Sequence, residues 1–206
     1  MTPSRRRSEL VRALQSVPPF EAGRADLEQV ATPAEAAATL LFAAFERGDL
    51  AERTVVDLGA GTGRLAIGAA LLGARRVTAV EIEPRAAAAG RAAAAAVGVA
   101  VDWRIGDVAR ATEAAETVVM NPPFGAQRAH ADRPFWAAAR RLATSAVYAF
   151  ALADSRTFIA ERAVVRPAYV DAMRPVPWEL ERSFAHHRKD RVPIAVDLWM
   201  IRTEAP

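Results

Sequence analysis

The sequence contains no cysteine. That absence removes disulfides, thiolate metal ligands and cysteine nucleophiles from this chain. Histidine occurs only at His130, His186 and His187, too few and too scattered to suggest a metal cluster, so no metal site is expected. No uninterrupted apolar run reaches the ~18 residues of a membrane-spanning helix. The basic N-terminus, Met1-Thr2-Pro3-Ser4-Arg5-Arg6-Arg7, lacks the apolar centre of a secretory signal. These features lead to the expectation of a cytoplasmic protein with no membrane association.

What remains is a 206-residue chain, long enough for one well-cored α/β domain and short for two. The basic residues are almost all arginine, the side chain that pairs with phosphate bidentately and stacks on bases. An RNA-facing surface would explain that choice, and so would a composition bias that also inflates alanine.

Apolar periodicity alternates between helical and strand-like segments, the order a doubly wound sheet requires. A helix is expected over Ser8 to Ser16, and a second from Pro33 to Gly48, capped by Thr32 with Glu35 in its first turn. Strands follow at Thr54 to Leu58, Val77 to Val80, Val99 to Ile105, Thr117 to Met120 and Ser145 to Phe150. Helices are expected between them at Gly63 to Leu72, Pro84 to Val97 and Pro134 to Leu142, with another over Asp154 to Arg162. The tail, Tyr169 to Ile201, reads as two extended segments closing a hairpin around Ala185 to Arg191.

Chemistry collects at the C-terminal ends of the strands. Asp57-Leu58-Gly59-Ala60-Gly61-Thr62-Gly63 joins the first strand to a helix. A dinucleotide binder would carry G-x-G-x-x-G, and a phosphate loop would carry Gly-Lys-Ser/Thr. Here Gly59, Gly61 and Gly63 alternate and Arg64 follows, a pattern that resembles the S-adenosylmethionine loop of Rossmann-like methyltransferases. The glycines let backbone approach the methionine and ribose portions of that cofactor, and Asp57 is placed to engage its cationic amino end. Glu81, ending the second strand, can accept from both ribose hydroxyls, with Ile82 packing on adenine. Asp107, ending the third, can accept from the adenine amino group while the Val108 backbone reads the ring edge.

Asn121-Pro122-Pro123-Phe124 follows the fourth strand. In open α/β sheets, ligands bind where the strand order reverses, which would place this turn across one cleft from the glycine loop. An exocyclic amine on a nucleobase is a poor nucleophile because its lone pair is delocalised into the ring. If the Asn121 side-chain oxygen and the Pro122 carbonyl each accept one amine proton, the nitrogen can pyramidalise towards a methyl donor. The two prolines stiffen the turn, and Phe124 offers a ring for stacking. In isolation the tetrapeptide is simply a turn; its position downstream of the other motifs gives it meaning.

These motifs, with Leu27-Glu28-Gln29-Val30-Ala31-Thr32-Pro33 before the core and His130-Ala131-Asp132-Arg133-Pro134-Phe135 after it, resemble the methyltransferase-like protein 5 family of archaea and eukaryotes. The resemblance implies a class I methyltransferase fold: a Rossmann-like, mostly parallel seven-stranded sheet with helices on both faces. Residues 1–50 would form a helical segment closing over the cofactor, and 51–206 the core with a C-terminal hairpin. It further implies N6-methylation of adenosine in small-subunit ribosomal RNA, with Gln29 and Thr32 helping to hold the cofactor and residues 125–133 shaping the base entrance. Asn121 then serves both cofactor and catalysis. His130 can hydrogen-bond the substrate or simply stand on a surface loop, and Arg188 and Lys189, with Arg5, Arg6 and Arg7, can grip RNA backbone or form a solvated hairpin and a loose basic tail. The chain departs from the family pattern at Val30, where an aromatic is usual, and at Ala149 to Ala151, which replace a Ser-Leu-His.

The same turn would also serve a guanine amino group in RNA, adenine in DNA or a glutamine amide in protein. A catalytically silent RNA-binding scaffold is a further alternative. Val99, Val101, Trp103 and Ile105 alternate on an edge strand, an exposure that single chains avoid. By resemblance, that edge would pair with a small zinc-binding methyltransferase activator; the alternative is that a helix or a loop of the same chain covers Trp103.

Overall fold

A computed structural model describes residues 3–19, 32–125, 130–163, 167–183 and 189–203. Helix α1 (Pro3–Gln15) and helix α2 (Ala34–Glu46) precede the sheet. Strand β1 (Thr54–Leu58), α3 (Arg64–Leu71), β2 (Arg76–Glu81), α4 (Pro84–Ala96) and β3 (Asp102–Ile105) then alternate. They are followed by β4 (Ala115–Met120), α5 (Arg133–Leu142) and β5 (Ala143–Leu152). Pro84 opens α4 at a position where its missing N–H is no loss, and the Glu83 side chain accepts from Arg85 N–H.

Among the described residues the main sheet has seven strands in the order β3-β2-β1-β4-β5-β9-β6, where β6 is Tyr169–Val176 and β9 is Val196–Arg202. Strands β3 to β5 run parallel, while β9 lies antiparallel between β5 and β6. The order reverses between β1 and β4. Successive residues of a strand face opposite sides, so each strand feeds two cores. Val55, Val119, Tyr148 and Leu198 join Leu14, Leu40 and Leu41 of α1 and α2 on one face. Val56, Val118, Val147 and Trp199 join Trp136 and Leu142 of α5 on the other. The sheet is thus covered on both sides, as the sequence led one to expect.

At the N-terminal ends of the strands, polar side chains tie the elements together. Glu116 accepts from Thr54 N–H at 2.8 Å and pairs with Arg53 at 2.8 Å, locking the starts of β1 and β4. Buried Asp49 accepts from the Tyr148 hydroxyl and from Arg202 at 2.7 Å. Both contacts lie at the end of the sheet opposite the glycine loop.

Four expectations need correction. Helix α2 starts behind Pro33 with no side-chain cap, so Thr32 does not cap it. The tail contains four strands: β6 and β9 complete the main sheet, and the hairpin is β7 (Glu179–Ser183) paired with β8 (Lys189–Pro193). The helix expected over Asp154 to Arg162 is a mixed run of 3-10 (Ala153–Ser155), α (Arg156–Phe158) and π (Ile159–Ala163) turns. The third strand begins only at Asp102, and although it is the sheet edge, Trp103 is buried rather than presented to a partner. Its ring fills a gap that glycines leave: a Cβ at Gly90 would lie 2.1 Å from the indole, and one at Gly63 2.9 Å. Ile105 does stay exposed on that edge. Among the described residues, no helix is long and apolar enough to cross a membrane.

Candidate active site

Strands β1 and β4 are direct neighbours with Leu58 opposite Met120, so the glycine loop and Asn121-Pro122-Pro123-Phe124 leave the sheet side by side. Strand β2 lies on the other flank of β1, with Val80 opposite Leu58, which brings Glu81 to the same rim. Strand β3 follows, pairing Ile105 with Glu81.

The loop is folded around its glycines. Gly63 sits at φ +90° at the start of α3, a left-handed conformation that a side chain would strain. At Gly59 the difficulty is also one of space, since a Cβ would stand 2.6 Å from the Phe135 ring. Two carboxylates meet beneath this loop. Glu81 is buried and accepts from Gly61 N–H at 2.7 Å and Glu83 N–H at 2.9 Å. Asp57 is buried and accepts from Ala66 N–H at 2.9 Å through Oδ2, while its Oδ1 has no partner.

Burial raises both carboxyls. Asp57 is pushed up to about 7, mainly by desolvation and further by the nearby Glu81, with the Ala66 N–H opposing. Glu81 is raised by burial against three backbone N–H groups that favour its charge. Among the described residues neither carboxylate has a cationic partner. Two buried acids, one with an orphaned oxygen, make a site that a cationic, hydroxyl-bearing ligand would complete. Ile82 is 49% exposed beside them, free to cover an apolar ring. Val108 is buried, while Asp107 is exposed and uses Oδ1 to cap the following turn through Ala109 N–H.

Across the cleft, Asn121 donates from Nδ2 to Thr32 Oγ1 at 2.9 Å, and its Oδ1 is buried with no partner. That oxygen is a free acceptor. Pro122 is buried and Pro123 half-buried. Phe124 is half-buried against Trp178, edge to face with ring centres 5.6 Å apart, and Trp178 rests in turn on Phe150 at 5.0 Å. No motif pointed to Trp178, which approaches because β9 and β6 fold back onto the sheet. Phe135 was quoted only as part of a motif; its contact with Gly59 ties that motif to the loop.

His130 is exposed at φ +65°, its carbonyl accepting from Arg133 N–H at the start of α5. Gln29 and Arg188 lie outside the described residues, and Lys189 is described only as backbone in β8. Arg7 does not belong to a loose tail: it lies in α1 and bridges to Glu35 at 3.1 Å and Thr39 at 3.0 Å.

Residues 30–147 match the methyltransferase small domain family model. The chain is 31% identical to the rRNA N(6)-adenosine-methyltransferase Mettl5 of Drosophila melanogaster, covering 90% of this chain and 91% of the relative. It is also 31% identical to the corresponding enzyme of Danio rerio, over 92% and 95%. The chain belongs to the methyltransferase-like protein 5 family. A proposed RNA methyltransferase from Pyrococcus horikoshii superposes with a TM-score of 0.88 at 35% identity, over 99% of both chains. Membership in the family makes the chain an S-adenosylmethionine-dependent methyltransferase, and the paired buried acids, orphaned Asp57 oxygen and exposed Ile82 fit that cofactor.

Proposed function

We propose that this methyltransferase modifies N6 of an adenosine in RNA, specifically in small-subunit ribosomal RNA. The observation that carries the reading is the buried, unpartnered Oδ1 of Asn121 beside the stiff Pro122-Pro123 turn. Relatives named as rRNA adenosine methyltransferases support the choice of base. When bound, S-adenosylmethionine would supply a methyl group to a nitrogen lone pair, with the neutral thioether as leaving group and one amine proton lost after transfer.

The chain's own residues do the rest. Asp57 and Glu81 hold the ammonium and ribose ends of the cofactor, Ile82 covers its adenine, and Asp107 with the Val108 backbone reads that ring's edge. Gln29 and Thr32 complete its enclosure. Asn121 Oδ1 and the Pro122 carbonyl accept the two amine protons, which releases the lone pair from conjugation and aims it. Phe124, braced by Trp178, stacks on the target base. Positioning and fixed acceptors supply the catalysis.

His130, Arg188 and Lys189 are read as RNA contacts. At the sheet edge, β3 is the docking strand for a small zinc-binding activator, through its backbone and Ile105 rather than through the inward Trp103. We take residues 1–206 as one domain working in the cytoplasm.

The direct test is methylation of rRNA fragments by the purified chain, alone and with such an activator, followed by nucleoside analysis. N6-methyladenosine is expected. N2-methylguanosine, a methylated DNA adenine or methylglutamine as the preferred product would overturn the choice of substrate.

A further inference from the structure

Arg64 takes the place after Gly63 and opens α3, yet it faces no carboxylate among the described residues. It is half-buried, and burial weakens its hold on its proton without neutralising it. Its guanidinium donates instead to two main-chain carbonyls, Thr32 at 2.7 Å and Val17 at 3.0 Å. Thr62, two residues before it, donates its hydroxyl to the Pro18 carbonyl at 2.7 Å. A cation spent on carbonyls makes charge-assisted bonds, the stronger kind, and fixes the main chain of Thr32.

The side chain of Thr32 faces the catalytic turn. Its Oγ1 accepts from Asn121 Nδ2 at 2.9 Å, leaving Oδ1 free. The two ends of an amide are nearly the same size and opposite in hydrogen-bonding sense. Only the oxygen can take a proton from an amine; the flipped amide would point two donors at it. A hydroxyl can donate or accept, so the orientation is set by the bond made here: Oγ1 accepts from Nδ2, and in that arrangement Oδ1 is the end left facing the amine.

We propose that Arg64 and Thr32 are positioning residues that set the Asn121 amide with its oxygen towards the reacting amine. The inference rests on Asn121 being the amine acceptor. It gives Thr32 a task in the transfer step beyond enclosing the cofactor, and it gives Arg64 one where its sequence position suggested none.

The test compares Thr32→Val, Thr32→Ser, Arg64→Met and Asn121→Ala for kcat at saturating RNA, S-adenosylmethionine Kd and melting temperature. Thr32→Val should lower kcat about tenfold at saturating RNA and S-adenosylmethionine, a loss that added cofactor does not recover, because the orienting bond acts in the transfer step beyond any share Thr32 has in holding the cofactor. Thr32→Ser, which keeps the hydroxyl, should restore most of the rate. Arg64→Met should lower kcat in the same direction. Full kcat in Thr32→Val, or a defect confined to cofactor Kd, overturns the relay. If Asn121→Ala methylates as well as wild type, the acceptor role itself fails; if it is inactive while Thr32→Val is fully active, only the relay fails.

Discussion

Asp57 carries its functional meaning in an imbalance: a buried carboxyl with one oxygen satisfied and one not. Because burial lifts its folded-state pKa to about 7, well above the ordinary ~4, its protonated form stabilises the free protein. That contribution is complete below about pH 4 and is lost as pH rises through about 7. A cofactor ammonium reverses the preference, since it favours the ionised carboxylate. Cofactor affinity should therefore weaken as pH falls from about 7.5 to 5.5, by at most about tenfold per unit for this one group. Calorimetric titration of wild type and Asp57→Asn across that range checks it. The variant should bind more weakly and lose the slope near pH 7; the same slope in both proteins would remove Asp57 from the account. At Asn121 the expectation is simpler. Asn121→Ala takes away the unpartnered acceptor and should cut kcat by about 10²–10³-fold while the protein stays folded, as steady-state rates and melting curves would reveal.

At the scale of elements, the strand ends were legible because the sequence marks them twice, by apolar runs that stop and by the acidic residues or glycines that follow. Asp57, Glu81 and the Asn121 turn were found that way. Trp103 was not, because its alternation with Val99, Val101 and Ile105 suggests an exposed face, whereas its ring is received by Gly90 and Gly63 in other elements. Periodicity within one strand carries no information about a gap in a neighbouring helix. The consequence is measurable in the isolated chain. Trp103→Ala should lose about 3–5 kcal/mol, and Gly90→Ala, which crowds the indole and stands 3.0 Å from the Thr62 carbonyl, about 1–3 kcal/mol. Thermal melts should fall by about 2–4 °C per kcal/mol. Unchanged melting of Trp103→Ala without any partner would return that side chain to a docking role.

For the whole molecule, alternation of strands and helices foretold the parallel half of the sheet, and the tail's topology escaped it. Strand β9 inserts between β5 and β6 by pairing Ala146–Leu152 with Val196–Arg202, a long-range choice that local pattern cannot specify. The same insertion delivers Trp178 to Phe124, so the least legible part of the fold braces the most legible part of the site. Family likeness supplied what no residue pattern could, the identity of the base as adenosine in ribosomal RNA. Mapping N6-methyladenosine in small-subunit rRNA from a strain lacking this gene, complemented with wild type or with Asn121→Ala, tests that claim most directly. The account predicts that one N6-methyladenosine disappears, returns with wild type and does not return with Asn121→Ala; an unchanged rRNA methylation profile in the deletion strain would contradict it.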